Sequence, residues 1–246
     1  MDELLGKVAL VTGGSRGIGA AIALRLAAAG ADVAITFARS DHEARAVVDQ
    51  LTAAGRRGIA IQADSADADR IGAAVERTVD ELGGLDILVN NAGIYPFGAI
   101  EDISLEEVDR ALAVNVRAVY LASRAAVRHL PDGGRIISIG SNLAERVPFA
   151  GVTLYAMSKS ALIGFTKGLA RDLGARGITV NLVQPGSTDT DMNPADGPTA
   201  DDQRALSALG RYAEPGDIAA AVAFLAGDAG RVVTGAVLTA DSGVNA

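Results

Sequence analysis

The chain predicts an α/β fold of three layers, a doubly wound parallel sheet covered by helices on both faces. Two observations carry this. Short apolar runs of strand length alternate with longer stretches of helical periodicity, the pattern of repeated β-α units. The first of these runs, Val8-Ala9-Leu10-Val11, breaks into Thr12-Gly13-Gly14-Ser15-Arg16-Gly17-Ile18-Gly19, which reads as strand, tight turn and helix start. At 246 residues the chain fits one such domain, residues 1–246, with no linker and no internal repeat.

Val8 to Val11 suits a strand buried on both faces. The glycines after it permit dihedrals and close backbone approaches that a Cβ blocks, and a phosphate can rest on the free amides of the helix start. The spacing Gly13-x-x-x-Gly17-x-Gly19 departs from G-x-G-x-x-G, because Ile22 stands where a final glycine belongs. A glycine turn that merely joins strand to helix is therefore the alternative reading at this point.

Ala20 to Ala29 continues as a helix with Ile22, Leu24 and Leu26 among alanines, closed by Gly30. Val33 to Phe37 is the second strand. Ser40-x-x-Glu43 reads as a capping box opening a helix with Ala44, Val47, Val48 and Leu51, punctuated by Gly55 and Gly58. Ile59 to Ala63 is a third strand and Asp67 to Leu82 a third helix. Leu85 to Asn90 is a fourth strand, ending in Asn90-Asn91-Ala92-Gly93. Ser104-x-x-Glu107 is a second capping box; it starts a helix to about His129 with the apolar stripe Val108, Leu112, Val116 and Val119, closed by Pro131. Arg135 to Ile139, Ile178 to Val183 and Val237 to Ala240 are further strands, and a helix runs from about Thr153 to Ala175. Gly186 to Pro198 is rich in Asp, Thr, Pro and Gly, a mobile loop by composition. Ala200 to Leu209 forms a short helix and Pro215 opens another, to Ala226.

Apolar residues make up 49% of the chain, enough for a substantial core, yet many are alanine and no run approaches a membrane span. Met1-Asp2-Glu3-Leu4 is a short acidic lead-in with no basic and apolar leader, so the cytoplasm is the expected location. The net charge of -8 argues against nucleic-acid binding. There are no cysteines, and His42 and His129 lie far apart in predicted helices, so no catalytic metal is expected.

In an open sheet of this kind ligands bind outside the carboxyl ends of the strands. Thr12 to Gly19, Arg39-Ser40, Asp64-Ser65, Asn90 to Gly93, Ser138 to Ser141 and the residues from Pro185 all follow strand ends. Tyr155-x-x-x-Lys159 places two side chains on one helix face, one turn apart. An ammonium beside a phenol lowers the phenol's pKa toward a range useful for proton transfer. Ser141 sits where its hydroxyl can donate to a substrate oxygen, with Ser138 competing for the role. Asn115 occupies an apolar register of its helix, and a buried amide needs partners.

Together, Thr12 to Gly19, Asn90-Asn91-Ala92-Gly93, Asn115, Ser141, Tyr155-Ala156-Met157-Ser158-Lys159 and Pro185-Gly186 resemble the short-chain dehydrogenase/reductase family in order and spacing. The 3-oxoacyl-carrier-protein reductase type is similar further, through Thr190-Asp191-Met192 and Thr234-Gly235. The resemblance implies a seven-stranded Rossmann sheet, a homotetramer or homodimer, and reduction of a ketone to a secondary alcohol by hydride transfer. It makes Tyr155 the general acid toward a carbonyl, or the base toward an alcohol. Ser141 positions the same oxygen, while Lys159 lowers the tyrosine pKa and holds the nicotinamide ribose. Asn115 bends its helix so that a backbone carbonyl holds a water reaching Lys159. The cofactor contacts it implies are Gly13, Ser15, Arg16, Gly17, Ile18, Gly19, Asn91, Ala92, Gly93, Tyr155, Lys159, Pro185, Gly186, Thr188 and Thr190, with a substrate loop at about 187–210.

An NAD site usually places a carboxylate at the end of the second strand, whereas a 2′-phosphate calls for arginine. Here that strand ends Phe37-Ala38-Arg39-Ser40, and Arg16 can reach the same phosphate. NADP(H) is the expected cofactor. Asp64 accepts from the adenine amino group with Ser65 beside it. Candidate walls of the substrate pocket are Ile94, Tyr95, Leu143, Phe149 and Met192. A narrower likeness runs through Gly177 to Gly186, Asp189-Thr190-Asp191 and Asn193-Pro194-Ala195, to a branch containing a biofilm-dispersal mediator that binds a cyclic dinucleotide. It implies a sensor as the alternative function.

Overall fold

The structure, a computed structural model, describes residues 3–246; Met1 and Asp2 of the acidic lead-in lie outside the described residues. The strands are β1 (Val8–Val11), β2 (Asp32–Phe37), β3 (Gly58–Gln62), β4 (Ile87–Asn90), β5 (Arg135–Ile139), β6 (Thr179–Pro185) and β7 (Val237–Ala240). They form one seven-stranded parallel sheet in the order β3-β2-β1-β4-β5-β6-β7. The apolar run of β1 is buried on both sides. Ala9 and Val11 join one core with Ile22 and Leu26 of α1 (Gly17–Ala28), Leu51 of α2 (Asp41–Ala53) and Val222 of α8 (Pro215–Ala226). Val8 and Leu10 join the other, with Ile71 and Val75 of α3 (Ala68–Leu82), Ala122 of α5 (Ala118–Ala126) and Leu173 of α6 (Thr153–Leu173). Strand order reverses between β1 and β4, which opens a crevice at their carboxyl ends.

The second capping box forms at the start of α4 (Leu105–Leu112): Ser104 N–H donates to Glu107 Oε2 at 2.9 Å and Glu107 N–H to Ser104 Oγ at 3.2 Å. The first does not. Ser40 makes no side-chain cap bond, and the acids Asp41 and Glu43 in the first turn supply the negative charge that this helix end favours. The long helix expected after Ser104 is also not regular. A π turn at Ala113–Arg117 separates α4 from α5 and adds one residue to the register. Leu112 is exposed and Val108 half-buried, whereas Ala111, Val114, Asn115, Ala118 and Val119 face inward. His129, just past that helix, lies 3.0 Å from Glu76.

The segment after β6 is laid down by two bridges, Thr188 with Ala213 and Thr190 with Asn193. The helix α7 (Ala200–Leu206) stops before Leu209, because Ser207 turns extended and its hydroxyl donates to Ser242 O at 2.9 Å. Among the described residues no helix is long and apolar enough to cross a membrane.

Candidate active site

The glycine turn is fastened from both neighbouring strands. Gly13 N–H donates to Thr36 Oγ1 at 3.0 Å and Gly14 N–H to Thr36 O at 2.9 Å, from β2. From the end of β4, Asn91 Nδ2 donates to Thr12 O and Gly13 O, both at 3.0 Å. A Cβ on Gly19 would stand 2.2 Å from Gly13 O and 2.4 Å from Asn91 Nδ2, so this position needs glycine for space, while Gly13 needs it for a φ of 65°. The start of α1 has no side-chain cap and no acid in its first turn. Its open amides suit an anion, and the residues present therefore fit a dinucleotide phosphate.

A crevice of about 1070 Å³ runs from this turn across the sheet. It is lined by Gly13, Ser15, Arg16, Gly17, Ile18, Gly19, Ser40, Asp64, Ser65, Asn91, Ala92, Gly93, Ser141, Tyr155, Lys159, Pro185, Gly186, Thr188 and Thr190, all named from the sequence. Arg39 is exposed and outside that lining, although Ala38 and Ser40 beside it are within. Arg16 lies 3.9 Å from Asp191 on the substrate loop, with both side chains largely exposed. Asp64 is already engaged: Ala66 N–H donates to its Oδ1 at 2.9 Å and Arg110 reaches its Oδ2 at 3.5 Å.

Ser141 begins a short 3₁₀ turn, its Oγ accepting from Leu143 N–H at 3.2 Å. Ser138 instead faces Asn90, whose Nδ2 donates to it at 3.4 Å, and it does not line the crevice. Asn115 stands one layer behind the wall. It brackets Ile94, accepting from Ile94 N–H at 2.9 Å and donating to Ile94 O at 3.0 Å, and it also donates to Ser158 Oγ at 3.0 Å. Ser158 in turn donates to Tyr155 O at 2.8 Å. The amide thus has partners for both its oxygen and its nitrogen, and it sits within the π turn.

Tyr155 and Lys159 share a face of α6, but the electrostatics differ from expectation. Burial pushes the Tyr155 phenol up to about 12, against a smaller lowering by the Ser141 hydroxyl. Lys159 Nζ donates to Ile139 O at 2.9 Å and stands 5.8 Å from the Tyr155 ring centroid. Burial brings the lysine itself down to about 8. Burial is the largest cause of the phenol's shift and favours its protonated form.

That burial acts on stability. Between about 8 in the folded protein and 10.5 for an ordinary lysine, the unfolded chain binds more protons, so this group makes stability rise with pH across that window. Lys159→Met is therefore expected to melt higher than the parent at pH 7, with the gap closing above about pH 10. Thermal melts at the two pH values check this; a lower melt at pH 7 counts against it.

The pocket walls Ile94, Tyr95, Leu143, Phe149 and Met192 all line the crevice. Sequence reasoning missed Phe97, Leu206 and Val244, which line it too. Val244 is brought there from the far end of the chain: the Arg146 guanidinium donates to Val244 O, and Asn245 Nδ2 donates to Asn142 O at 2.9 Å. No local sequence signal marks such ties.

A dinucleotide-sized crevice at a sheet reversal, with Ser141, Tyr155 and Lys159 on its wall, defines an oxidoreductase of the nicotinamide-nucleotide class. Residues 13–245 match the family described as enoyl-(acyl carrier protein) reductase. The chain belongs to the short-chain dehydrogenase/reductase family. A crystal structure of a short chain dehydrogenase from Burkholderia cenocepacia J2315 in complex with NADP superposes with a TM-score of 0.98 at 63% identity, over 99% of this chain and 100% of that one. The cyclic-di-GMP-binding biofilm dispersal mediator protein of Escherichia coli K12 is 46% identical over 246 residues, the whole of both chains. Versicolorin reductase stcU of Emericella nidulans is 41% identical over 254 aligned positions, covering 98% of this chain and 96% of the relative.

Proposed function

We propose that this chain is an NADP(H)-dependent carbonyl reductase that converts a ketone to a secondary alcohol, reversibly. The observation that carries the reading is the half-buried Tyr155 phenol, beside Ser141 and one helical turn from Lys159, on the wall of a crevice continuous with the glycine turn. The nicotinamide nucleotide supplies the hydride. Tyr155 Oη gives its proton to the carbonyl oxygen, which Ser141 Oγ holds. Lys159 Nζ, anchored on Ile139 O, keeps further donors for the nucleotide ribose, and Asn115 fixes the backbone beside Gly93. Following NADPH absorbance with a panel of ketones and β-keto esters tests this. Absence of any oxidation across the panel counts against the reading.

The NADP in the Burkholderia complex supports the same cofactor here, as do Arg16 of the glycine turn, which lines the crevice, and Arg39, two residues past the end of β2. Arg39→Ala is expected to weaken NADPH binding more than NADH binding in fluorescence titrations; equal weakening refutes a 2′-phosphate clamp.

A second reading rests on the full-length likeness to the Escherichia coli mediator. As a sensor, the chain would take cyclic-di-GMP in this crevice, displacing NADPH with no turnover of any carbonyl. Titration of the NADPH complex with cyclic-di-GMP separates the two. Exposed Leu105, Leu112 and Tyr120 on α4 and α5, with Met157 on α6, support assembly as a homotetramer or homodimer. A cytoplasmic location belongs to the same reading.

A further inference from the structure

The crevice wall next to Tyr155 is aromatic. Tyr95 sets its ring edge-on to Tyr155, with centroids 4.8 Å apart at 68°, and Phe97 lies nearly parallel to Tyr95 at 6.2 Å and 15°. Both positions are built. Asn115 brackets the backbone of Ile94, the residue before Tyr95. Phe97 lies against Gly151, where a Cβ would stand 2.8 Å from the ring.

Polar groups of the substrate loop on the same crevice satisfy one another. Ser187 Oγ donates to Gln203 Oε1 at 2.6 Å, Asn193 Nδ2 donates to the same oxygen at 2.9 Å, and Gln203 Nε2 donates back to Asn193 Oδ1 at 2.9 Å. Tyr95 differs: it lines the crevice at 37% exposure, and its hydroxyl makes no hydrogen bond to the chain among the described residues. Partial burial raises its pKa, so it stays a donor at neutral pH. The arginines of the crevice each face an acid of the chain. Among the described residues the cationic lining groups besides Lys159 are Arg16, 3.9 Å from Asp191 of the substrate loop, and Arg110, on Asp64, while the same loop adds Asp202. An anionic substrate tail would compete with Asp191 and Asp64 for these arginines and meet the charge of Asp202.

We propose that Tyr95 is a second substrate-binding phenol, donating to a further carbonyl or ester oxygen of an uncharged aryl ketone whose reacting oxygen lies at Tyr155 and Ser141. The proposal rests on the carbonyl-reductase reading and narrows its substrate class. The aromatic wall takes the aryl group, and the unpartnered hydroxyl selects the second oxygen.

Ethyl benzoylacetate and hexanophenone test it, since the two have chains of equal length and only the first carries the ester oxygens. Dissociation constants for the NADPH-bound protein, by calorimetry, and kcat/KM are compared for the parent and Tyr95→Phe. The parent is expected to prefer the keto ester, and Tyr95→Phe to weaken keto-ester binding about two- to tenfold while hexanophenone changes less than about twofold. Equal changes for both ligands, or no measurable binding of the keto ester, overturn the phenol anchor. If neither ligand is reduced but the Tyr95-dependent preference in binding is present, the anchor stands and the reductase reading fails. If both are reduced and Tyr95→Phe does not discriminate, the reductase stands and the anchor fails.

Discussion

Tyr155→Phe is expected to lower kcat/KM for ketone reduction about 10²- to 10⁴-fold, the range for loss of a positioned general acid. NADPH affinity should change little, because the ring that packs on Tyr95 stays and Lys159 keeps its bond to Ile139 O. The effect is confined to one proton, held on a phenol that burial keeps from ionising. Stopped-flow reduction under single-turnover conditions, with NADPH titrated separately, reads the two quantities apart. Full activity in the variant would assign the proton to another donor, Tyr95 being the nearest phenol.

The second large effect is steric. Gly19→Ala places a methyl group 2.2 Å from Gly13 O and 2.4 Å from Asn91 Nδ2, and neither the turn nor its strap can yield without moving the other. A stability loss of about 1–3 kcal/mol is expected, as for other overpacked sites, together with at least a tenfold loss of NADPH affinity as the turn shifts off the helix start. Urea unfolding and fluorescence titration measure the pair. Gly72→Ala in α3 is the control, since a Cβ there meets nothing within 4 Å and a helical alanine is favoured over glycine. Equal behaviour of the two variants would remove the packing argument for Gly19.

What was legible in the sequence was local. The run from Val8 to Gly19, the capping box at Ser104 and Glu107, and the one-turn spacing of Tyr155 and Lys159 each act within a few residues, and all appear as read. The parallel, doubly wound sheet followed from alternation and its seven strands from the family resemblance, while their order came from the structure. What escaped depends on distant parts of the chain. The direction of the Tyr155 pKa is set by how deeply the packed wall buries it, and spacing to a lysine says nothing of that. The stripe through Leu112 failed because the helix packs on the face through Ala111, Asn115 and Ala118, where small and polar residues carry no apolar signal. Val244 reaches the crevice only through bonds to residues about a hundred positions away. Ser40 looked like a cap by composition, but its backbone does not aim the hydroxyl at the helix.

The π turn at Ala113–Arg117 also sets durability against activity at one point in the chain. A helix with an inserted residue is a less favourable backbone than a regular one, and here it survives alongside an amide bracketing Ile94. Selection for heat resistance alone, in the laboratory or in sequence redesign, favours ironing the helix straight. The same change swings Asn115 away from Ile94 and leaves the segment from Gly93 to Tyr95 without its clamp. Libraries screened only for survival on heating should therefore lose catalysts at this position first, and a thermostabilised variant needs its turnover measured before its melting point is taken as progress.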